Sequence, residues 1–343
     1  MGVRSKQLDT THGWIKYERY RYQCYKCEGW YYPADEELEL SAESQMSRKK
    51  EDQMAKLSAR MPYEEVERTY EELTGQRASK TQAHRVVQVM GKKVLGEEKQ
   101  GVRHKPLRGE WKTHVGADGV MVNIRAEGWK EVKVGAYYRV DEQREKEEVR
   151  YVATSGSREG IGEKLYELAG RPTLEESREM GFISDGAEWL ENMRKEYFPK
   201  ATGILDFYHA AGYVGEVGKS FYEEAEAEAW TRKKCQQLKK GKHKQLARAL
   251  DKMNADRDDQ REVLADAQRY FKNHGHKMKY NVYRAMGFHI GSGVIEAGCK
   301  HVVQNRFKRT GMRWSRRGCA NLLALRVAYL NDDWNLVQKA QWN

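Results

Sequence analysis

The sequence predicts a mixed α/β protein: a β-β-β-α-β-α-β core with an all-helical insertion, preceded by a small β-ribbon and a helical region. Three observations predict it. "THVGADGVMVNI", "EVKVGAYYRV" and "EVRYVATS" have the β-branched and aromatic content of strands and follow one another too closely for crossover helices, so they read as an antiparallel meander. Strand and helix patterns then alternate through "MGFISDG", "AEWLENMRKEYF" and "TGILDFYH". From about Ala210 to Gly287 the strand signal ends, and charged helix formers take over.

The 343 residues suffice for two or three modules, and 39% apolar content suffices for a core. Lys and Arg exceed Asp and Glu by 62 to 51, a net charge of +11 that points to a polyanionic partner, nucleic acid first and an anionic membrane surface second. No run of about 18 apolar residues predicts a membrane span, and "MGVRSKQLDTTHGW" lacks a secretory core, so the expectation is a cytoplasmic protein with no membrane partner. Five scattered cysteines do not form a disulfide framework and fit a reducing compartment.

Residues 1–43 are expected to hold the ribbon, built on the aromatic alternation of "YRYQCYKCEGWYYP". Its one C-x-x-C pair, Cys24 and Cys27, supplies two of the four ligands that zinc takes, so the pair is either half of a zinc site or two structural thiols. Residues 44–97 read as a helix-turn-helix unit with helices from about Tyr63 to Leu73 and from a cap at Ser79 or Thr81. Lys80, Gln82, His84 and Arg85 would then face a major groove; the alternative is a helical hairpin with a solvated face. Residues 98–112 read as a linker, 113–220 as the first part of the core, 221–287 as the helical insertion, and 288–343 as the second part of the core, closed by an amphipathic helix packed on the sheet. Three strands followed by alternation is the order of an RNase H-like sheet.

In that topology the first and fourth strands are neighbours. Asp118 and Asp185, expected at the ends of those strands, would meet at one edge of the sheet, although each Asp-Gly taken alone reads first as a turn. Two carboxylates held together need a cation. Glu296, after "GSG" near a helix start, could join them, and such oxygen donors suit Mg2+ or Mn2+. Two ions about 4 Å apart would serve an in-line attack on phosphorus. Asp206 ends the last strand and competes with Asp185 for the second position.

These blocks, "ADGVMV", "ISDGAEWL" with "FPKATGILDFYHA", and "GSGVIEAGCKHVVQNRFKRTGMRWSRRG", resemble the DDE transposases of ISKra-type insertion sequences, relatives of the Mutator-like group. The similarity runs from about residue 20 to the end. It implies Asp118, Asp185 and Glu296 as the catalytic, metal-binding triad, Asp206 and His209 as supporting residues, and double-stranded DNA, both terminal inverted repeats and target, as partner. It further implies a homodimer or larger synaptic complex in the cytoplasm, at the nucleoid. Relatives typically carry two N-terminal cysteine pairs. Here only "CYKC" stands, so a shortened start is expected, with zinc-dependent repeat recognition in question.

Lys300, Arg306, Lys308, Arg309, Arg313, Arg316 and Arg317 follow Glu296 closely, with Trp314 among them. Such density neutralises phosphates, and a tryptophan can stack on an unpaired base. A solvated helix end is the plainer reading. Lys300 can instead pair with Glu296 one turn away. Cys299 and Cys319 read as small core residues. A nuclease or resolvase without strand transfer, and a DNA-binding remnant that does not cut, remain the competing functions.

Overall fold

A computed structural model describes residues 2–38, 40, 44–99, 112–141, 146–156 and 158–342. The expected linker falls largely outside them. In chain order the elements are β1 (Gly2–Thr10), β2 (Gly13–Gln23), β3 (Trp30–Tyr31), α1 (Pro33–Glu37), α2 (Arg48–Arg60), α3 (Tyr63–Thr74) and α4 (Lys80–Lys99). There follow β4 (Lys112–Ile124), β5 (Gly128–Val140), β6 (Lys146–Thr154), α5 (Arg158–Leu168), α6 (Leu174–Arg178), β7 (Met180–Ser184), α7 (Glu188–Tyr197) and β8 (Thr202–Leu205). The remainder is helical: α8 (Phe207–Phe221), α9 (Glu224–Lys239), α10 (His243–Leu250), α11 (Asp258–His274), α12 (Tyr280–Ala285), α13 (Gly293–Gly298), α14 (Asn305–Phe307), α15 (Arg316–Leu330) and α16 (Trp334–Trp342). A π-helical stretch, Cys299–Gln304, joins α13 to α14.

The chain forms two compact units, Met1–Val102 with Val122–Lys130 and Val302–Asn343, and Arg103–Met121 with Glu131–His301. In this division the C-terminal residues and the tip of the β4–β5 hairpin group with the N-terminal helices. No described helix is long and apolar enough to cross a membrane.

In the first unit, β1 and β2 pair antiparallel from Gly2↔Arg21 to Thr10↔Gly13. The ribbon begins at Gly2, with β1, "GVRSKQLDT", lacking the aromatic alternation that marks β2. Gly13 turns the hairpin at φ 108°, a backbone conformation costly for a residue with a Cβ. The two expected helices are present. Gly75 ends α3 at φ 68°. Ser79 and Gln82 cap α4 reciprocally: Ser79 Oγ accepts from the Gln82 N–H at 3.2 Å, and Gln82 Oε1 accepts from the Ser79 N–H at 2.8 Å.

The last long helix, α15, packs on α4 and α2 and not mainly on a sheet. Its run from Asn321 to Ala328 is buried all round, so it has no solvated face of the expected kind. Two buried arginines finish α2. Arg306 Nε donates to the Ser58 carbonyl at 2.9 Å, and Arg326 Nη1 donates to the Ala59 carbonyl, so cations meet carbonyls that a helix end leaves unpaired. The ribbon is fastened by Lys50, whose buried ammonium donates to Asp9 at 2.5 Å and to the Arg77 carbonyl at 2.9 Å.

In the second unit the sheet order is β6-β5-β4-β7-β8, with β7 parallel to both β4 and β8 and β5 antiparallel to β6. Alternate residues feed two cores. Val115, Ala117, Tyr137 and Phe182 join the layer containing α5 and α7. Ala136, Tyr138 and Ile183 point to the opposite face, under α8, the insertion helices and α13.

Replacing Lys50 by Met leaves Asp9 charged and buried. It should cost about 3–5 kcal/mol in urea unfolding, whereas the double change to Lys50→Met and Asp9→Leu should recover most of the loss.

Candidate active site

Register brings the first two acids together. Gly116 on β4 pairs with Ile183 on the parallel β7. Asp118 and Asp185 each lie two residues farther along, hence at matching positions on the same face. That face is the one α13 covers. A Cβ on Gly116 would stand 2.3 Å from Ile295 Cδ1 and 2.6 Å from the Ile183 carbonyl, so the missing side chain lets α13 seat on the sheet. Asp185 follows β7 directly, as the sequence predicts. Asp118 does not end its strand: β4 runs on to Ile124, and Asp118 marks where β7 stops accompanying it.

Glu296, in the first turn of α13, is exposed, and its Oε1 accepts from Ser292 Oγ at 2.6 Å. The loop before α13 is tied at several points. The His289 N–H donates to His114 Nε2 at 2.9 Å, the Phe207 N–H to the Ile290 carbonyl at 2.8 Å, and the Ser292 N–H to Asp206 Oδ1 at 3.1 Å. A Cβ on Gly291 would meet the Tyr208 ring at 2.7 Å.

Asp206 is buried and caps α8, accepting from the Tyr208 and His209 N–H groups, each at 3.1 Å. It also accepts from Ser292 Oγ at 2.9 Å. With the Ser292 N–H it has three backbone donors, and the Ser292 hydroxyl, with its single proton, can donate either to Asp206 or to Glu296. These backbone bonds make Asp206 the holder of the α8 start and of the loop at Ser292. His209 is exposed, with its ring against Tyr213 and Tyr270.

Electrostatics links the acids. Asp118 is exposed along one side, yet partial desolvation by the packed strands holds its carboxyl above its ordinary range, the Asp185 and Glu131 charges add to this, and the Gly119 N–H and Cys299 oppose it. The Cys299 thiol is pushed up to about 12 by burial, then by Asp118 and Glu296. It is therefore no nucleophile at neutral pH, and it senses both acids. Among the described residues no three His, Cys, Asp or Glu side chains stand close enough to hold one ion. Asp118 and Asp185 still fit Mg2+ or Mn2+ as a donor pair, since these ions take one or two carboxylates and complete their shell with water and substrate phosphate.

The remaining expected residues divide by burial. Arg306 is buried, as is Trp314, whose indole N–H donates to the Phe307 carbonyl at 3.0 Å, so neither presents itself to a duplex. Lys308, Arg309, Arg313, Arg316 and Arg317 are exposed, with Arg309 paired to Glu65 and Arg316 to Glu127. Lys80 and Arg85 are exposed, but Lys80 bonds Glu64 at 3.1 Å. Gln82 is spent on its cap. Lys300 is exposed. In the ribbon, backbone N–H groups of Cys27 and Lys26 lower the Cys24 thiol below its usual range, while all five cysteines are free. The described residues supply no third or fourth zinc ligand beside the pair.

Sequence reasoning missed the insertion's contribution. Tyr270 donates to the Asp185 carbonyl at 3.0 Å, and the His274 ring would stand 3.1 Å from a Cβ on Gly186. Their one-turn spacing on α11 is visible in the sequence, but nothing there says which face meets the sheet. Ser292 and Glu131 were missed likewise.

His114 is buried and held down to about 3, by burial first and by His289 second. Its depressed value means the native state stays neutral while the unfolded chain protonates. That stability is complete above about pH 6.5 and declines as pH falls toward 3. A His114→Gln variant should show a flatter decline in pH-dependent urea unfolding. Asp118→Asn works in the opposite sense: removing a carboxylate whose ionisation is disfavoured should raise the melting temperature of metal-free protein at pH 7. The gain should fade below about pH 4.

Compared with known proteins, the chain matches no curated one. It belongs to UPF0236, an uncharacterised protein family whose model matches residues 2–343.

Proposed function

We propose that this member of UPF0236 is a DNA transposase of the DDE type with an RNase H-like core. On this reading it cleaves strands at terminal inverted repeats and joins the freed 3'-hydroxyl to target DNA. One observation carries the reading: Asp118 and Asp185 each lie two residues past the last paired positions of two adjacent parallel strands and feel each other's charge, and α13, which bears Glu296, seats on those strands through Ile295. The strand order β6-β5-β4-β7-β8 and the excess of positive charge support it.

Mg2+ or Mn2+, when bound, supplies activation of a water or hydroxyl and charge stabilisation at phosphorus. Asp118 and Asp185 are the residues that would hold it, and Glu296, the third acid of the triad that the resemblance implies, would have to move toward them to join as a ligand. Ser292 is fixed by Asp206 through its N–H, which leaves its single hydroxyl proton able to orient the Glu296 carboxylate. His114, kept neutral, anchors the loop through the His289 N–H without adding charge. The exposed Lys308 and Arg313 would neutralise phosphates along a duplex. Synapsis of two ends requires at least a dimer.

A second reading, a DNA-binding protein that does not cut, is favoured by the lack of a three-ligand cluster among the described residues. A labelled duplex carrying the element's terminal repeat separates the two. Wild type with Mg2+ or Mn2+ should nick at the repeat boundary and join the end to target DNA, and EDTA should stop both. Asp118→Ala, Asp185→Ala and Glu296→Ala should each lose about 10³-fold or more. Ser292→Ala should lose about tenfold, and Asp206→Ala should keep residual cutting. Nicking without joining makes the protein a nuclease; binding without nicking withdraws the enzymatic proposal.

A further inference from the structure

The first unit contains a cavity of about 600 Å³ that the strand-cleavage reading does not use. Its lining includes Tyr63, Gln88, Arg125, Arg306 and Arg313. Three of these bring buried polar atoms to it: the terminal nitrogens of Arg306 and the Tyr63 hydroxyl, which face one another without a well-formed hydrogen bond, and the Gln88 amide nitrogen, which has no partner. Each can donate, and the Arg306 nitrogens and the Gln88 amide can only donate. Native proteins rarely leave such groups unpaired, and these gather around one space.

The guanidinium of Arg306 is oriented from behind. Its Nε is fixed on the Ser58 carbonyl, and its Cζ lies over the Tyr63 and Trp314 rings, 5.1 and 5.3 Å from their centroids. Burial draws it down to about 10, so it remains charged at neutral pH. Two long helices begin at the cavity wall, α4 with Lys80 and Thr81, and α15 after Ser315, so two positive helix ends add to the charge. Arg125 and Arg313 are exposed at the rim. The one acid in the lining, Glu64, is paired with Lys80 at 3.1 Å. His84, also in the lining, is held below its usual range by burial and by the Arg125 and Arg317 charges.

We infer that this cavity is a binding site for a phosphoryl group, gripped by the terminal nitrogens of Arg306 and closed over by Arg125 and Arg313. A tetrahedral oxyanion supplies acceptors to several convergent donors at once, and guanidinium recognises it through paired bonds. The group could belong to a nucleic-acid 5' end or to free phosphate. The inference stands on the first unit alone and does not depend on cleavage.

Calorimetry on the full chain in metal-free buffer at fixed ionic strength tests it with inorganic phosphate, acetate, a 5'-phosphorylated oligonucleotide and the same oligonucleotide with a 5'-hydroxyl. Phosphate should bind where acetate does not, and saturation should raise the His84 titration seen by NMR, since a nearby anion favours imidazolium. The Arg125→Ala, Arg313→Ala double variant, altered only at exposed side chains, should lose phosphate binding by about tenfold or more. A 5'-phosphate preference of about tenfold that vanishes in the variant identifies the nucleic-acid end as the source. Equal binding of the two oligonucleotides, with phosphate still bound, identifies free phosphate. Phosphate binding no better than acetate, or as tightly to the double variant as to wild type, overturns the site. Because no metal is present, these outcomes are independent of whether the protein cuts DNA.

Discussion

The parallel pairing of β4 with β7 is the constraint on which the second unit's chemistry depends. Side chains alternate across a strand, so a slip of one residue would send Asp118 and Asp185 to opposite faces. The Gly116↔Ile183 register prevents that, and it is held by apolar residues committed to both layers. The pairing also accounts for Gly116 itself. Ile295 fills the space above it, and through Ile295 the first turn of α13, with Glu296, is placed over the same strands.

Around that pairing, buried polar groups are used for position. Asp206 shares its oxygens between the start of α8 and the loop that leads into α13, so one carboxylate couples two elements far apart in sequence. His114 does the same from β4, stacked on Tyr138 and accepting a backbone hydrogen bond as a neutral ring. Buried acceptors of this kind specify geometry because leaving either partner unpaired is costly.

The first unit relies on cations turned inward. Lys50 joins the ribbon to the helices, and Arg306 and Arg326 complete the end of α2. In Arg326 the guanidinium is occupied through Nε, bonded to the Val302 carbonyl, and Nη1. In Arg306 Nε is bonded to the Ser58 carbonyl, and the terminal nitrogens form a desolvated donor edge facing the Tyr63 hydroxyl at a cavity wall.

Much of this was legible from sequence because it depends on short-range periodicity. The meander, the alternation after it, the helical insertion, the helix pair with its Ser79 cap and the candidate acids all follow from spacing of two or 3.6 residues and from turn residues. The sequence alone determined these elements and the residue types available for chemistry. Tertiary structure decided what each residue faces. It took Arg306 and Trp314 from the expected surface into the interior, gave Asp206 its backbone donors, and brought Ser292 and Tyr270 to acids distant along the chain. It also put α15 among helices. The physical reason is that burial and hydrogen-bond partnership arise from long-range packing, and a charged or aromatic residue in a basic run reads the same in sequence whether its partner is water, a carbonyl or a ring.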